Sequence, residues 1–405
     1  MERWQQSQPA LVIRGRCWHD SRVNVRHPVP SAPAAGGLRT IQVVNVRWFN
    51  ATAWYGIELA RLLRASGHET LVIGLAGTAS FEKAVSLGLD PVPLPLNTGN
   101  PLHWPGLYVS MRRLVQAFRP HVVNCHRGEG VPLWAVLRRE AGFALVRTRG
   151  DQRLPKGNLP NRLLHSRVVD AVIATNSVMA RHMADNMGVA SDRVHTIIGG
   201  VDADRFRFDP AGRVAVRQGY GWGDDAFVIG LLGRFDRVKA QKETIEAVAR
   251  LRSQGYHNLR LMLAGFETAT TQAEVEGVGD ITAITGRHPD VVGCISAMDA
   301  GVVPSLWSEA IARAALEIMA CGVPLVSSTV GVMPDLLPGD AMCPPGEVQA
   351  LAALLARVHD DASWREGLRA ACVRRMASLR SEDFRDATLR VYNEALSRRQ
   401  CPPRV

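Results

Sequence analysis

No stretch of this sequence approaches the roughly 20 consecutive apolar residues that a membrane-crossing helix needs. Nor does it open like a secretory leader: "ALVI" at residues 10–13 is too short for an apolar signal core, and no small-residue cleavage pattern follows it. A cytoplasmic protein is therefore expected. The seven cysteines are scattered, with no C-x-x-C pair, which excludes both a disulfide framework and a zinc ribbon and leaves them as small buried side chains. Aromatic residues make up 6% of the chain and are not interleaved with basic ones, so no nucleic-acid-binding module is legible.

What is present is a globular composition, 46% hydrophobic and 21% charged over 405 residues, too long for one ordinary core and sufficient for two. The net charge of +10 is unevenly placed. Residues 1–200 hold 24 Lys and Arg against 12 Asp and Glu, and residues 201–405 hold 24 against 26. A one-sided basic field attracts anionic substrates or an anionic membrane surface.

Residues 1–39, with the Pro/Ala/Gly stretch "HPVPSAPAAGG", are expected to be a disordered or non-native extension. Strand-like and helix-like segments then alternate: "TIQVVNVR" (40–47), a helical pattern over 55–70, "LVIGL" (71–75), "HVVNC" (121–125), "ALVRTR" (144–149) and "AVIATN" (171–176). The alternation restarts after "GGVDADRF" with "FVIGLLG" (227–233), a helix over 241–255, "LRLMLAG" (259–265), "AGVVPS" (300–305) and "PLVSS" (324–328). Such alternation predicts an α/β fold of two doubly wound, Rossmann-like halves, 40–200 and 201–378, facing a central cleft, with a final helix over 379–405.

Four constellations stand out. "GRFDRVKAQKE" follows a strand and precedes a helix, so Gly233 permits a tight exit while Arg234 and Lys239 are suited to phosphate oxygens. In "SEAIARAALEIMACGVPLVSS", Glu309 is expected at the mouth of a helix running to about Ala320. Glu317 would lie about 80° round from it, and the amides of Ile311 and Ala312 would fall in the first turn, free to hold an anion. In "VVNCHRGEG", His126 ends a strand in the basic half and is expected to point into the cleft, where it could bond a sugar. Asp202 and Asp204 spell D-x-D, but their position at the junction of the halves predicts a hinge turn, and no cluster has metal-ligand spacing.

"GVDADRF", "GRFDRVKAQ", "LMLAG" and the E-x7-E pattern of "SEAIARAALEIMACGVPLV" together resemble the GT-B-fold glycosyltransferases of family 4, the glycogen-synthase-like retaining kind, over roughly residues 40–400. That resemblance implies a transferase moving a hexose or heptose from a nucleoside diphosphate sugar, with no cofactor and no metal. Its acceptor would be a saccharide or lipid-linked saccharide of the lipopolysaccharide type, with peripheral contact at the inner membrane. By the same resemblance Arg234 and Lys239 hold the donor diphosphate, Glu309 the sugar, Glu317 the ribose, and Gly286 and Arg287 of "ITGRH" the base. His126 faces the sugar from the first half. Two departures bear on the site: the loop "WFNATAWY" (48–55) replaces the family's Gly-Gly loop, implying a different acceptor pocket, and Ala310 and Ala312 stand where glycines are usual. The alternatives are a donor-binding scaffold without turnover and another sugar-nucleotide enzyme of this fold, such as an epimerase. A phosphorylase lacks a recognisable cofactor lysine here.

Overall fold

The computed structural model describes residues 36–265, 277–286 and 288–400; the extension assigned to residues 1–39 falls almost wholly outside them, as does Arg287. Among the described residues the strands form two all-parallel sheets. The first contains β1 (Arg39–Val43), β2 (Glu69–Gly74), β3 (Val92–Pro93), β4 (Val122–Cys125), β5 (Ala144–Arg149), β6 (Ala171–Ala174) and β7 (Val194–Thr196), in the order β3-β2-β1-β4-β5-β6-β7. The second contains β8 (Phe227–Leu232), β9 (Leu259–Ala264), β10 (Thr282–Ile284), β11 (Ala300–Val303), β12 (Leu325–Ser328) and β13 (Met342–Cys343), in the order β10-β9-β8-β11-β12-β13. Helices cover both faces, which is why β4, β6, β11 and β12 are buried along their whole length. The order reverses between β1 and β4 and again between β8 and β11. Each reversal opens a crevice at the carboxyl ends of the strands, where ligands bind in such sheets.

Two differences from the expected bounds bear on the site. The first helix begins at Ala51, not near residue 55, because the Asn50 side chain accepts a hydrogen bond from Ala53 N at 3.0 Å and caps it. The aromatic segment 48–55 is thus half helix. The helix after β11 spans only Arg313–Ala320, because Ala312 adopts a left-handed conformation (φ +50°) at its N-cap. Glu309 therefore lies on a loop, and the angular argument relating it to Glu317 does not apply.

The two sheets are joined by two crossings that hydrogen-bond to each other. Val201 N donates to Leu379 O at 2.9 Å and Ser381 N to Val201 O at 3.0 Å. Gly200 is packed so closely that a Cβ there would lie 2.4 Å from Arg380 O. Asp202 serves the turn that follows: its Oδ1 accepts from Asp204 N at 3.1 Å and Arg205 N at 3.0 Å, a turn at the junction of the halves. The last helix, Ser381–Gln400, then lies against the first half. Phe384 meets Tyr55 at 4.5 Å between ring centroids, and the Tyr392 hydroxyl is 3.1 Å from Gln42 Nε2 and 2.9 Å from Asn124 Nδ2. Among the described residues no helix is long and apolar enough to cross a membrane.

Candidate active site

The second half supplies the most tightly assembled group. β8 ends at Leu232, and after Gly233 the chain turns through Asp236, whose side chain caps the short turn Arg237–Lys239 at Val238 N. Ala240, at φ +57°, redirects the chain into the helix Gln241–Ser253. Leu306 N donates to Val238 O at 2.9 Å, tying the loop after β11 to this turn. Lys239 Nζ thereby reaches Glu309 Oε1 in an ion pair, and Ser305 Oγ donates to the same oxygen at 2.6 Å. Glu309 is held from behind as well. Val332 N donates to its carbonyl at 2.8 Å, and Gly331 (φ +66°) approaches so closely that a Cβ would sit 2.0 Å from that carbonyl oxygen. Glu309 is 5% exposed, whereas the Arg234 side chain is 70% exposed with Asp236 3.4 Å away. One cation is thus fixed by a carboxylate, and the other is presented to solvent at the same strand end.

Two alanines in the left-handed region, Ala240 and Ala312, sit at the N-caps of the two helices that flank this group. Such a conformation costs a non-glycine residue about 1–2 kcal/mol, and backbone strain of this kind concentrates at ligand sites. Alanine thus holds a left-handed angle at position 312, where the family usually has glycine. The amides in the first turn belong to Arg313 and the residues after it. Ile311 precedes the helix, and its side chain is fully buried in the contact between the halves; a Cβ on Gly150 would lie 3.3 Å from Ile311 Cδ1. The same loop is pinned by Thr175 Oγ1 and Asn176 Nδ2, which donate to Ala310 O at 2.9 and 3.2 Å.

Glu317 is buried on the neighbouring helix and accepts a hydrogen bond from Arg313 Nε at 2.6 Å. Burial raises its carboxyl above the usual range, against the pull of Arg313. The Arg313 guanidinium in turn lies 5.6 Å from the centre of the Trp54 ring. Glu317, Arg313 and Trp54 line a cavity of about 390 Å³ with Glu58, Asp202 and Arg205. The structure thus separates the two glutamates by partner: Lys239 and Ser305 hold Glu309, and Arg313 holds Glu317. The pairing with Arg313 was legible as an i, i+4 spacing, and Arg313 and Ser305 are the residues that motif reading missed. Gly286 follows β10 at φ +62°.

His126 does not face the cleft. It is fully buried, its Nε2 lies 3.0 Å from Gln42 Oε1, and Gly56 of the first helix packs over its ring. Burial first, and Arg147 second, lower its pKa to about 3, so it is a neutral interior imidazole. The strand end that carries it turns inward under the first helix, which the sequence pattern alone did not reveal.

This geometry can be set against known proteins. The family model described as "Glycosyltransferase Family 4" matches residues 53–205, and "Glycosyl transferases group 1" matches residues 226–361. A D-inositol 3-phosphate glycosyltransferase from Saccharomonospora viridis is 28% identical over 255 residues, covering 56% of this chain and 56% of that protein. The chain thus spans about half the length of the curated relatives it first matches. A D-inositol 3-phosphate glycosyltransferase 1 from Catenulispora acidiphila is 25% identical over an alignment covering 91% of this chain and 90% of its own. Among solved structures, Anabaena Alr3699/HepE in complex with UDP superposes with a TM-score of 0.76 at 18% identity, covering 88% of this chain and all of that one; at that identity the likeness speaks to fold. The two halves, each matched by its own model and joined at the Gly200 crossing, place the chain in the family 4 glycosyltransferases of GT-B fold.

Proposed function

We propose that the chain transfers a hexose or heptose from a nucleoside diphosphate sugar to an acceptor hydroxyl, with retention of anomeric configuration and without a metal. The observation that carries this is Lys239, fixed against Glu309 and Ser305 at the carboxyl edge of β8 and β11, beside the exposed Arg234. Arg234 offers a planar fork to the diphosphate and Lys239 a point charge. The helices starting at Gln241 and Arg313 add amide donors. Together they stabilise the charge that develops on the departing diphosphate. Glu309 keeps acceptor capacity for sugar hydroxyls on the oxygen that Lys239 and Ser305 leave free. Glu317 meets the ribose with Arg313 sharing its carboxylate, and Gly286 serves the base.

The acceptor is assigned to the first half, where the positive charge is concentrated. The names of the relatives support a phosphorylated polyol. A lipid-linked saccharide met at the cytoplasmic membrane face is the second reading, favoured by Leu102, Leu159 and Leu163, which are 84%, 69% and 47% exposed. The test is an assay of UDP-, GDP- and ADP-hexoses against inositol phosphate, following nucleoside diphosphate release and the anomer of the product. Product with the donor's anomeric configuration is expected from one base. An inverted product contradicts retention, and no release with any donor contradicts the transferase reading.

A further inference from the structure

The carboxyl ends of β4 and β5 enclose a second cavity, of about 800 Å³, well apart in sequence from the donor residues. Its lining is cationic: Arg127, Arg147, Arg149, Arg153 and Lys156 against the carboxylates of Glu129 and Asp151. Alternation along "ALVRTR" puts Arg147 and Arg149 on one face of β5. Arg147 is 1% exposed. Its Nη1 donates to Cys125 O at 2.6 Å and Thr148 O at 2.5 Å, but its Nη2 has no hydrogen-bond partner, and the nearest carboxylate, Asp151, is 3.9 Å away. Arg149 reaches the same Asp151 at 3.4 Å and Arg153 O at 3.0 Å, and its buried Nε has no partner. Glu129 is already taken by Arg127 at 3.0 Å.

One carboxylate therefore serves two buried guanidiniums. Buried donors left unmade cost free energy, and buried cations cost more. Their concentration around one cavity calls for an anion. A further buried atom without a partner, His165 Nε2, lines the same space. His165 Nδ1 lies 2.8 Å from Asn161 O and so carries the proton, which leaves Nε2 as an acceptor. Gln152 Oε1, in the same lining, is likewise buried without a partner, so the cavity offers guanidinium donors and two uncharged acceptors, the imidazole and the amide oxygen. A phosphoryl group on a hydroxyl-bearing body matches both: oxyanions accept from the arginines, and a hydroxyl donates to His165. Gly150, next to Asp151, packs on Ile311 at the contact between the halves, so the cavity lies beside the cleft.

We propose that this cavity is the subsite for the phosphoryl group of the acceptor, a polyol or sugar phosphate, free or as a lipid headgroup. The inference rests on the reading that the first half takes the acceptor. The test uses the full chain and isothermal titration with D-inositol 3-phosphate, with myo-inositol, and with vesicles containing phosphatidylinositol phosphate or phosphatidylcholine only. The variants are Arg153→Gln with Lys156→Gln, whose side chains have no carboxylate partner among the described residues, and separately Arg147→Met. Inositol phosphate is expected to bind wild type and myo-inositol not to; the double variant weakens binding by about tenfold or more, with UDP binding unchanged. Variant-sensitive binding to the phosphoinositide vesicles alone assigns the subsite to a lipid headgroup. Equal binding of inositol with and without phosphate, or binding untouched in both variants, overturns the proposal. A wild type that binds inositol phosphate but none of UDP, GDP and ADP would instead count against the donor site, so the two failures are distinguishable.

Discussion

Replacing Lys239 by methionine is expected to lower kcat/KM by about 10²–10³-fold, the loss seen when one preorganised donor is removed from a developing anion. Methionine keeps much of the side chain's length and bulk, so the change tests the charge. The substitution also strands Glu309, which keeps Ser305 as its side-chain donor. Removing one member of a fully buried pair costs 3–5 kcal/mol. With the Lys239 side chain 22% exposed, solvent screening reduces this to about 2 kcal/mol. The two effects separate in a double variant: Lys239→Met with Glu309→Gln is expected to recover stability but not turnover. Steady-state kinetics and thermal melts on the three proteins make the check, and full turnover in a folded Lys239→Met variant would remove Lys239 from the chemistry.

The second large effect lies at the crossing between the halves. Gly200→Ala places a Cβ 2.4 Å from Arg380 O and 2.8 Å from Arg380 C. Neither neighbour is the free end of a side chain, and both belong to a crossing that Val201 and Ser381 pin by backbone hydrogen bonds. The crossings must separate or distort, at a cost of about 3 kcal/mol or more. Thermal melting of the variant is expected to show a clear drop. Gly219→Ala, where a Cβ meets nothing within 4 Å, is the control. An unchanged midpoint for Gly200→Ala would mean that the crossings are not packed as described.

The fold was largely legible because each buried strand is a short apolar run between turn residues; "ALVRTR" and "LRLMLAG" lie on β5 and β9 almost residue for residue. The departures come from single residues whose effect is tertiary. Asn50 starts a helix inside the segment that the family resemblance placed in a loop. Ala312 takes a left-handed angle that its residue type disfavours, because Ile311 and Ala310 are pinned to the first half, and so Glu309 is removed from the helix. Arg234 and Lys239 were legible as a pair of cations just after β8. The partners that fix them were not: Lys239 meets Glu309 across 70 residues, a distance over which local pattern carries no information. His126 illustrates the opposite failure, since its place at a strand end suggested a cleft residue and the first helix buries it.

The measurement closest to the central claim is thermal shift with UDP, GDP and ADP on wild type and on Arg234→Ala with Lys239→Ala. A ligand that binds the folded state at a hundredfold excess over Kd adds about 2.7 kcal/mol. One nucleoside diphosphate is expected to raise the wild-type midpoint and to leave the double variant unmoved, which would fix the donor site at the end of β8 and identify the base. An equal shift in both proteins would place the diphosphate elsewhere and contradict the account.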